Sequence, residues 1–566
     1  MGYLRRCLLP AVLATGLLGA GCSVKTTVEA TSSTPANVAD FYVTVTGLAF
    51  HPSATARASD AGWVQVTLTQ PMTVDLVDPG RARPTLVAAA NMPGGTYRQM
   101  RLVMAGRDDA LASSATALGL TYNAQATYTD ALGATYTVPV EFAVPSPSLS
   151  VATNLVLAPG SGALTSSGTT NQPTEVTLDT WFDALRHLHF VSYGTQRAGL
   201  YSAPVAAYDA TTVGGIKGTV SLATLAAGVR TGAQGIVATA EQLAADGSRQ
   251  VALGSATVQP DGSFLIYPLP AGSASTQYDV VIHGPGIEPI VVRAVPVVAG
   301  VPSTATIVSS AALVPVVAPT YQVNTGSIST SAAGVVTTAG SSSNYTLPAA
   351  ADVDFYQTLW FSSAPYLIDS AALNPFTRQF DADWVLSAGD VQVGSYNAGG
   401  AIAFTSRSPV QGQGGYLLAS RAPLRDPGLL DTRIVAPLRG QTLTVLPSPP
   451  LTASGSTRGI LPVTLSQATA GRYDTGLLVV SRGGVIVDTV DLTAAFAAAG
   501  PGGRFTVGVI GLPVGTPSAP YLAAQYDIVA RVWSSRAPAT TLTFASLSTT
   551  LDLSSQVPTG VVLALP

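Results

Sequence analysis

Turn-forming residues interrupt this chain at short intervals. The 55 glycines and 40 prolines make up about one residue in six, above the ordinary ~12%. Between them lie β-branched runs such as Phe41-Tyr42-Val43-Thr44-Val45-Thr46-Gly47-Leu48. Long helices do not survive such punctuation, whereas strands of about five residues do. In Gly62-Trp63-Val64-Gln65-Val66-Thr67-Leu68 the residues alternate, Val64 and Val66 on one face and Trp63, Gln65 and Thr67 on the other. A chain of 566 residues holds roughly three to five domains. The expected architecture is therefore all-β, with about four sandwiches joined end to end. One short helix is predicted at Asp491 to Ala499, where Asp491 caps an alanine-rich run stopped by Gly500-Pro501.

The first residues read as an export signal. Arg5 and Arg6 precede an apolar stretch from Leu8 to Leu18 that is too short to span a bilayer. It ends in Leu18-Gly19-Ala20-Gly21-Cys22, which resembles the lipobox of bacterial lipoprotein signals. That resemblance implies that residues 1–21 are removed and Cys22 becomes the lipidated N-terminus. Ser23 follows it, and the absence of Asp there resembles the rule for Gram-negative lipoproteins sent on to the outer membrane, which the resemblance implies as the location. The only other cysteine, Cys7, lies in the removed segment, and no intramolecular disulfide is expected. Residues 22–38 are rich in Ser, Thr and Ala and read as a tether.

Charged residues are only 10% of the chain and the formal net charge is −4. Lys25 and Lys217 are the only lysines and no basic run occurs, which excludes nucleic acid as an expected partner. The membrane is expected to be met through the lipid, with a glycan or another envelope protein as the further partner. No cofactor is expected.

Four motifs organise the next segment: Val43 to Pro52 (VTVTGLAFHP), Gly62 to Leu68 (GWVQVTL), Val74 to Asp78 (VDLVD) and Pro93 to Met104 (PGGTYRQMRLVM). With Leu178 to Phe190 and Tyr201 to Asp209, they resemble the domain of unknown function 4382 of bacterial surface lipoproteins, over residues 39–210. The resemblance implies a β-sandwich and no established activity. Ser146 to Thr174, rich in Ser, Thr and Gly, reads as an inserted loop.

A second unit, 214–310, opens at Gly214-Gly215-Ile216-Lys217-Gly218-Thr219-Val220. It continues through Pro260-Asp261-Gly262-Ser263-Phe264 and Leu269-Pro270-Ala271-Gly272. Asp261-Gly262 suits a tight turn, and Phe264 can plug the core between two sheets. The set resembles the carboxypeptidase regulatory-like, transthyretin-type sandwich, which implies a spacer or binding module. The pattern recurs in 456–566, at Pro501-Gly502-Gly503-Arg504-Phe505, Leu512-Pro513-Val514-Gly515 and Gln525-Tyr526-Asp527-Ile528-Val529, with Thr457-Arg458-Gly459-Ile460 echoing Ile216-Lys217-Gly218-Thr219. Between the copies, 319–455 is a β region of no recognised family, with strands expected at Gln357 to Phe361 and Asp390 to Gly394.

Residues suited to chemistry are sparse. His187 and His189, two apart, share one face if they lie on a strand, and Asp183 or Asp179 joins them only if that strand bends. Asp352 with Asp354, and Asp381 with Asp383, have the spacing of a partial calcium loop without its terminal Glu. No Gly-x-Ser-x-Gly elbow occurs. Trp63, Trp360 and Trp384 could stack on sugar rings or simply pack. The sequence thus predicts several Ig-like or transthyretin-like β-sandwiches in tandem after a lipoprotein signal, with a binding or scaffolding role and no catalysis. A carbohydrate-binding lipoprotein of a polysaccharide uptake system is the alternative, and a hydrolase with its site in 319–455 a third.

Overall fold

The computed structural model describes residues 23–565 apart from a set of segments, the longest being 158–174, 222–234, 323–333, 376–384, 435–457, 514–524 and 535–544. The described residues are almost entirely strands arranged in several separate sheets, in agreement with the all-β expectation.

Twelve strands between Ser23 and Asp209 form the first sheet. It wraps a core that includes Val24, Phe41, Phe50, Leu102, Leu178 and Phe182. The first of these strands corrects the tether reading. Ser23–Ser33 runs parallel to Glu175–Asp183 and antiparallel to Thr85–Pro93. Val24, Val28 and Ala30 are fully buried, and each such valine contributes roughly 1.5–3 kcal/mol. The hydroxyl-rich composition hid this alternation, because Thr26 takes one of the buried positions while Lys25, Thr27 and Glu29 lie between them. The inserted-loop reading of Ser146 to Thr174 is also corrected in part, since Ser148–Leu157 is a strand antiparallel to Gly95–Met104. Trp63 lies just before the strand Val64–Asp75, whose first residues do alternate between half-buried and exposed.

The second unit has seven strands: Val213–Ser221, Val237–Leu243, Gln250–Thr257, Ser263–Pro270, Thr276–His283, Ile290–Val297 and Ala305–Ala312. One sheet has the order fourth, first, seventh, and the other begins third, second, fifth, sixth. Gly262 adopts φ 82°, and Ser263 donates from its backbone N–H to Asp261 Oδ1 at 2.9 Å, which makes the expected tight turn. Phe264 is fully buried between the sheets.

The C-terminal unit repeats this topology strand for strand. Arg458–Gln467, Thr475–Arg482, Val485–Asp491, Arg504–Pro513, Gln525–Trp533, Ala545–Asp552 and Val561–Leu565 fall into sheets of the same two orders. The seventh strand is parallel to the first in both units. The register corrects one detail of the repeat. Gly459 pairs with Leu512 as Gly214 pairs with Leu269, so Gly459 corresponds to Gly214 rather than to Gly218. Leu465 stands opposite Phe505 where Gly218 stands opposite Phe264. The C-terminal hairpin is longer between its two anchor pairs, which a motif match alone does not reveal. The predicted helix forms at Thr493–Ala498, but its N-cap is Leu492 rather than Asp491, whose Oδ1 accepts the Thr493 N–H at 2.8 Å from the end of the preceding strand.

The region 319–455 is not a self-contained sandwich. Its strands Tyr366–Ala372, Asp352–Gln357, Tyr416–Arg421 and Gly428–Ile434 form one sheet in that order. Val391–Ser395, however, pairs in parallel with Ile290–Val297, and Thr405–Arg407 pairs onto it in turn. This insertion covers the open edge of the second unit's sheet, and Ile402 enters that unit's core. The strand expected at Gln357 to Phe361 ends at Gln357, and Trp360 and Phe361 occupy a turn.

Nor are the units strung end to end. Leu200 of the first domain packs with Leu477, Val479 and Ile486 of the last. Arg531 donates to Glu141 across the same contact. Thr489 donates to the Pro375 carbonyl at 2.5 Å, and Asn374 Nδ2 to the Phe190 carbonyl at 3.2 Å. Side-chain chemistry scattered along the chain folds its end back onto its beginning.

Candidate functional site

A group of mutually interacting ionisable side chains lies where the first domain, the second unit and the hairpin of Asp352–Gln357 and Tyr366–Ala372 come together. It begins with a break in a strand. Glu175–Asp183 ends in the single turn Ala184–His187, and Leu188–Tyr193 follows directly. His187 therefore ends a helical turn while His189 sits in a strand, which overturns the shared strand face. The bend does bring Asp183 to His187, with Oδ2 4.0 Å from Nε2.

Arg186, on the same turn, exerts its field on Glu241 and His283 of the second unit and on Asp369 of the hairpin. Asp352 likewise acts on His187. Two pairs that the sequence offered separately, His187 with His189 and Asp352 with Asp354, thus contribute to one neighbourhood. Asp354 is fully buried there and His189 nearly so. The pair Asp381 and Asp383, and Trp384, lie outside the described residues, as does Cys22. Among the described residues no three His, Cys, Asp or Glu side chains are arranged to hold a metal ion.

Burial dominates the electrostatics. Glu241 has no solvent exposure, and burial pushes its carboxyl well above the usual range, reinforced by Asp279 and Asp354 and opposed by the Leu367 N–H and Arg186. Glu241 Oε2 accepts that N–H at 3.1 Å, which ties the second unit to the hairpin, while Oε1 has no hydrogen-bond partner. Asp369 is pushed up to about 7, first by burial and then by Asp354, against the Ser370 N–H and Arg186. His283 is pushed down to about 3 by burial and by Arg186. His283 Nδ1 lies 3.7 Å from Asp369 Oδ1, a separation that suits an ion pair. The desolvation of both groups outweighs that geometry and favours the neutral pair.

Two tyrosines complete the joint. Tyr366 donates to Asp279 Oδ2 at 2.5 Å, and Asp279 Oδ1 accepts the Ala294 N–H at 2.8 Å. Burial, then the bond to Asp279, raises the Tyr366 phenol. Tyr267 of the second unit donates to Asp179, which is fully buried in the first sheet. Nearby, Thr257 Oγ1 donates to the Thr34 carbonyl at 2.5 Å. The arrangement fastens domains to one another through buried hydrogen bonds.

Sequence reasoning missed Arg186, Glu241, Asp279, Tyr366 and Asp369 as members of this group. One signal was present: Glu241 stands in Val237–Leu243, otherwise buried from Val237 to Ala240, and a carboxylate in a buried strand demands a partner.

The aromatic candidates fare differently. The Trp63 ring is packed 5.0 Å from His51 and lies under the Arg101 guanidinium at 4.5 Å. Its partners are thus protein groups. Trp360 is half-buried beside Phe361 at 5.6 Å, with Arg407 5.9 Å from its ring and Arg293 4.6 Å from that of Phe361.

Residues 26–157 match the family described as a domain of unknown function (DUF4382). The match begins inside the first strand, where the sequence suggested a tether, and ends before the segment of Leu178 to Asp209. No curated protein matches the chain.

Proposed function

We propose that the protein is a lipid-anchored component of the bacterial cell envelope that acts as a non-catalytic scaffold or binding module. One observation carries the scaffold reading. The ionisable groups that fold together make their hydrogen bonds across domain boundaries, Glu241 to the Leu367 N–H, Tyr366 to Asp279, Tyr267 to Asp179 and Arg531 to Glu141. Their geometry is that of joints, which hold β units in a fixed relation and leave the outer faces to meet a partner. The anchor is supported by the Leu18 to Cys22 motif, and the match to the domain of unknown function agrees with a lipoprotein of this kind. The second and last units are read as carboxypeptidase regulatory-like sandwiches, supported by their shared strand order.

The test is incorporation of labelled palmitate with membrane fractionation, comparing the natural chain with Cys22→Ala. Label in the outer-membrane fraction of the natural chain alone is the expected result. Soluble, unlabelled protein in both would overturn the anchor.

A second reading, carbohydrate binding, is favoured by Trp360, half-buried in a turn with Arg407 5.9 Å from its ring. Aromatic faces flanked by cations suit neutral or acidic sugars. Glycan-array binding that disappears in Trp360→Ala, with thermal stability retained, would establish it.

A further inference from the structure

We infer that the second and last units dock through the same face of their sheets, and that the second unit's copy of this face is a proton-dependent latch. It closes on the hairpin of Asp352–Gln357 and Tyr366–Ala372 when Glu241 and Asp369 are protonated, and releases it in alkali while both units stay folded. The inference is independent of the anchor at Cys22. Strand alternation fixes the face. Ala238, Ala240, Tyr278, Val280 and Ile282 belong to the core of the second unit, so Glu241, Asp279 and His283 point outward. Leu478, Val480, Tyr526, Ile528 and Ala530 belong to the core of the last unit, which turns Ser481, Asp527 and Arg531 outward. Gln277-Tyr278-Asp279 matches Gln525-Tyr526-Asp527, and the register agrees, since Glu241 pairs with Asp279 as Ser481 pairs with Asp527. His283 therefore stands where the last unit has Arg531.

Both copies of the face are occupied from within the chain. In the last unit Leu477 and Val479 meet Leu200 of the first domain, and Arg531 donates to Glu141. In the second unit the occupant is the hairpin: Leu367 donates its N–H to Glu241, Tyr366 donates to Asp279, and Asp369 lies 3.7 Å from His283. The same contact is thus made once with a permanent cation and once with titratable groups. Glu241 and Asp279 are direct cross-strand neighbours, roughly 5 Å apart at Cβ, a placement in which two charges repel. Asp279 accepts two donors, whereas Glu241 accepts one on Oε2 and none on Oε1, so the proton belongs on Glu241. The other charged groups facing the closed joint are Asp354 of the hairpin, Arg186 of the turn Ala184–His187 and Arg293 of the sheet. With Glu241 and Asp369 ionised, four carboxylates would meet two guanidinium groups. Burial raises both carboxyls, that of Asp369 to about 7. Closing therefore takes up protons that the open joint has released, and each one taken up weakens closure by up to about tenfold per pH unit as the solution turns alkaline.

The experiment is hydrogen exchange of the full-length protein in detergent, read by mass spectrometry at about pH 6 and about pH 8.5 and corrected for the base-catalysed rate of free amides. Protection of Tyr366–Ala372 is expected to fall about tenfold or more between the two. Thr276–His283 of the second unit and Gln525–Trp533 of the last should keep theirs. Glu241→Gln combined with Asp369→Asn retains the acceptor oxygens without the ionisation, and the fall should vanish in that variant. Glu241→Gln alone should give a smaller fall than the natural protein. Unchanged protection of Tyr366–Ala372 in the natural protein overturns the latch. So does a fall that spreads to Gln525–Trp533, one that persists in the double variant, or one of equal size in Glu241→Gln.

Discussion

Phe264 fills the space that a side chain on Gly218 would occupy. The two residues face each other in the antiparallel pair of Val213–Ser221 and Ser263–Pro270, and the ring is fully buried. A Cβ on Gly218 would overlap three ring carbons, the farthest of them 2.8 Å away. The glycine is there so that an aromatic side chain can close the end of the sandwich.

Gly218→Ala is accordingly expected to destabilise the second unit by about 1–3 kcal/mol, the usual cost of overpacking. Chemical denaturation followed by tyrosine fluorescence would measure it. The equivalent position of the last unit, Leu465, already carries a side chain opposite Phe505, so Leu465→Ala should instead cost about 2–5 kcal/mol through the cavity it leaves.

The joint should respond to pH through Asp369. Its carboxyl is raised to about 7, so its contribution is fully present below the unfolded value near 3.8 and is lost as pH rises through about 7. His283, lowered to about 3, works in the opposite sense: its contribution is present above 6.5 and lost as pH falls. Asp369→Asn removes only the first of these. The stability of the variant relative to the natural protein should climb between pH 4 and 7, by at most about 1.4 kcal/mol per pH unit, and level off above. A flat difference across that range would show that the Asp369 carboxyl is not desolvated in the folded protein.

Arg531→Met should loosen the contact between the first and last units. It leaves the nearly buried Glu141 without its guanidinium, at an expected cost of about 2–4 kcal/mol. Adding Glu141→Gln should recover most of the loss, because the uncompensated charge is then gone. Differential scanning calorimetry would show the last unit melting earlier in the single variant and near its original temperature in the double.

Ala294 lies in the left-handed region at φ 58°, at a register shift opposite Tyr278 and Val280. Its N–H is held by Asp279, which also receives Tyr366. Ala294→Gly relieves the strain of a Cβ at positive φ and should stabilise the second unit by about 1 kcal/mol. A lower denaturation midpoint in this variant would count against backbone strain at the bulge.

Much of this protein was legible in order along the chain. Turn residues and β-branched runs specify an all-β molecule because their conformational preferences act locally. Asp261-Gly262 requires a positive φ whatever surrounds it, and the alanine-rich run before Gly500-Pro501 forms its short helix. The repeated hairpin and Leu-Pro signals identify two related units for the same reason. Tertiary structure decided what depends on distant partners. Ser23–Ser33 is a strand because Glu175–Asp183 and Thr85–Pro93 flank it, and its own Ser and Thr residues carry no sign of that. Arg186, Glu241, Asp279 and Asp369 meet only because three units converge, and burial at that meeting, which no spacing encodes, moves their proton affinities. The return of the last unit to Glu141 and Leu200 likewise belongs to packing between surfaces hundreds of residues apart.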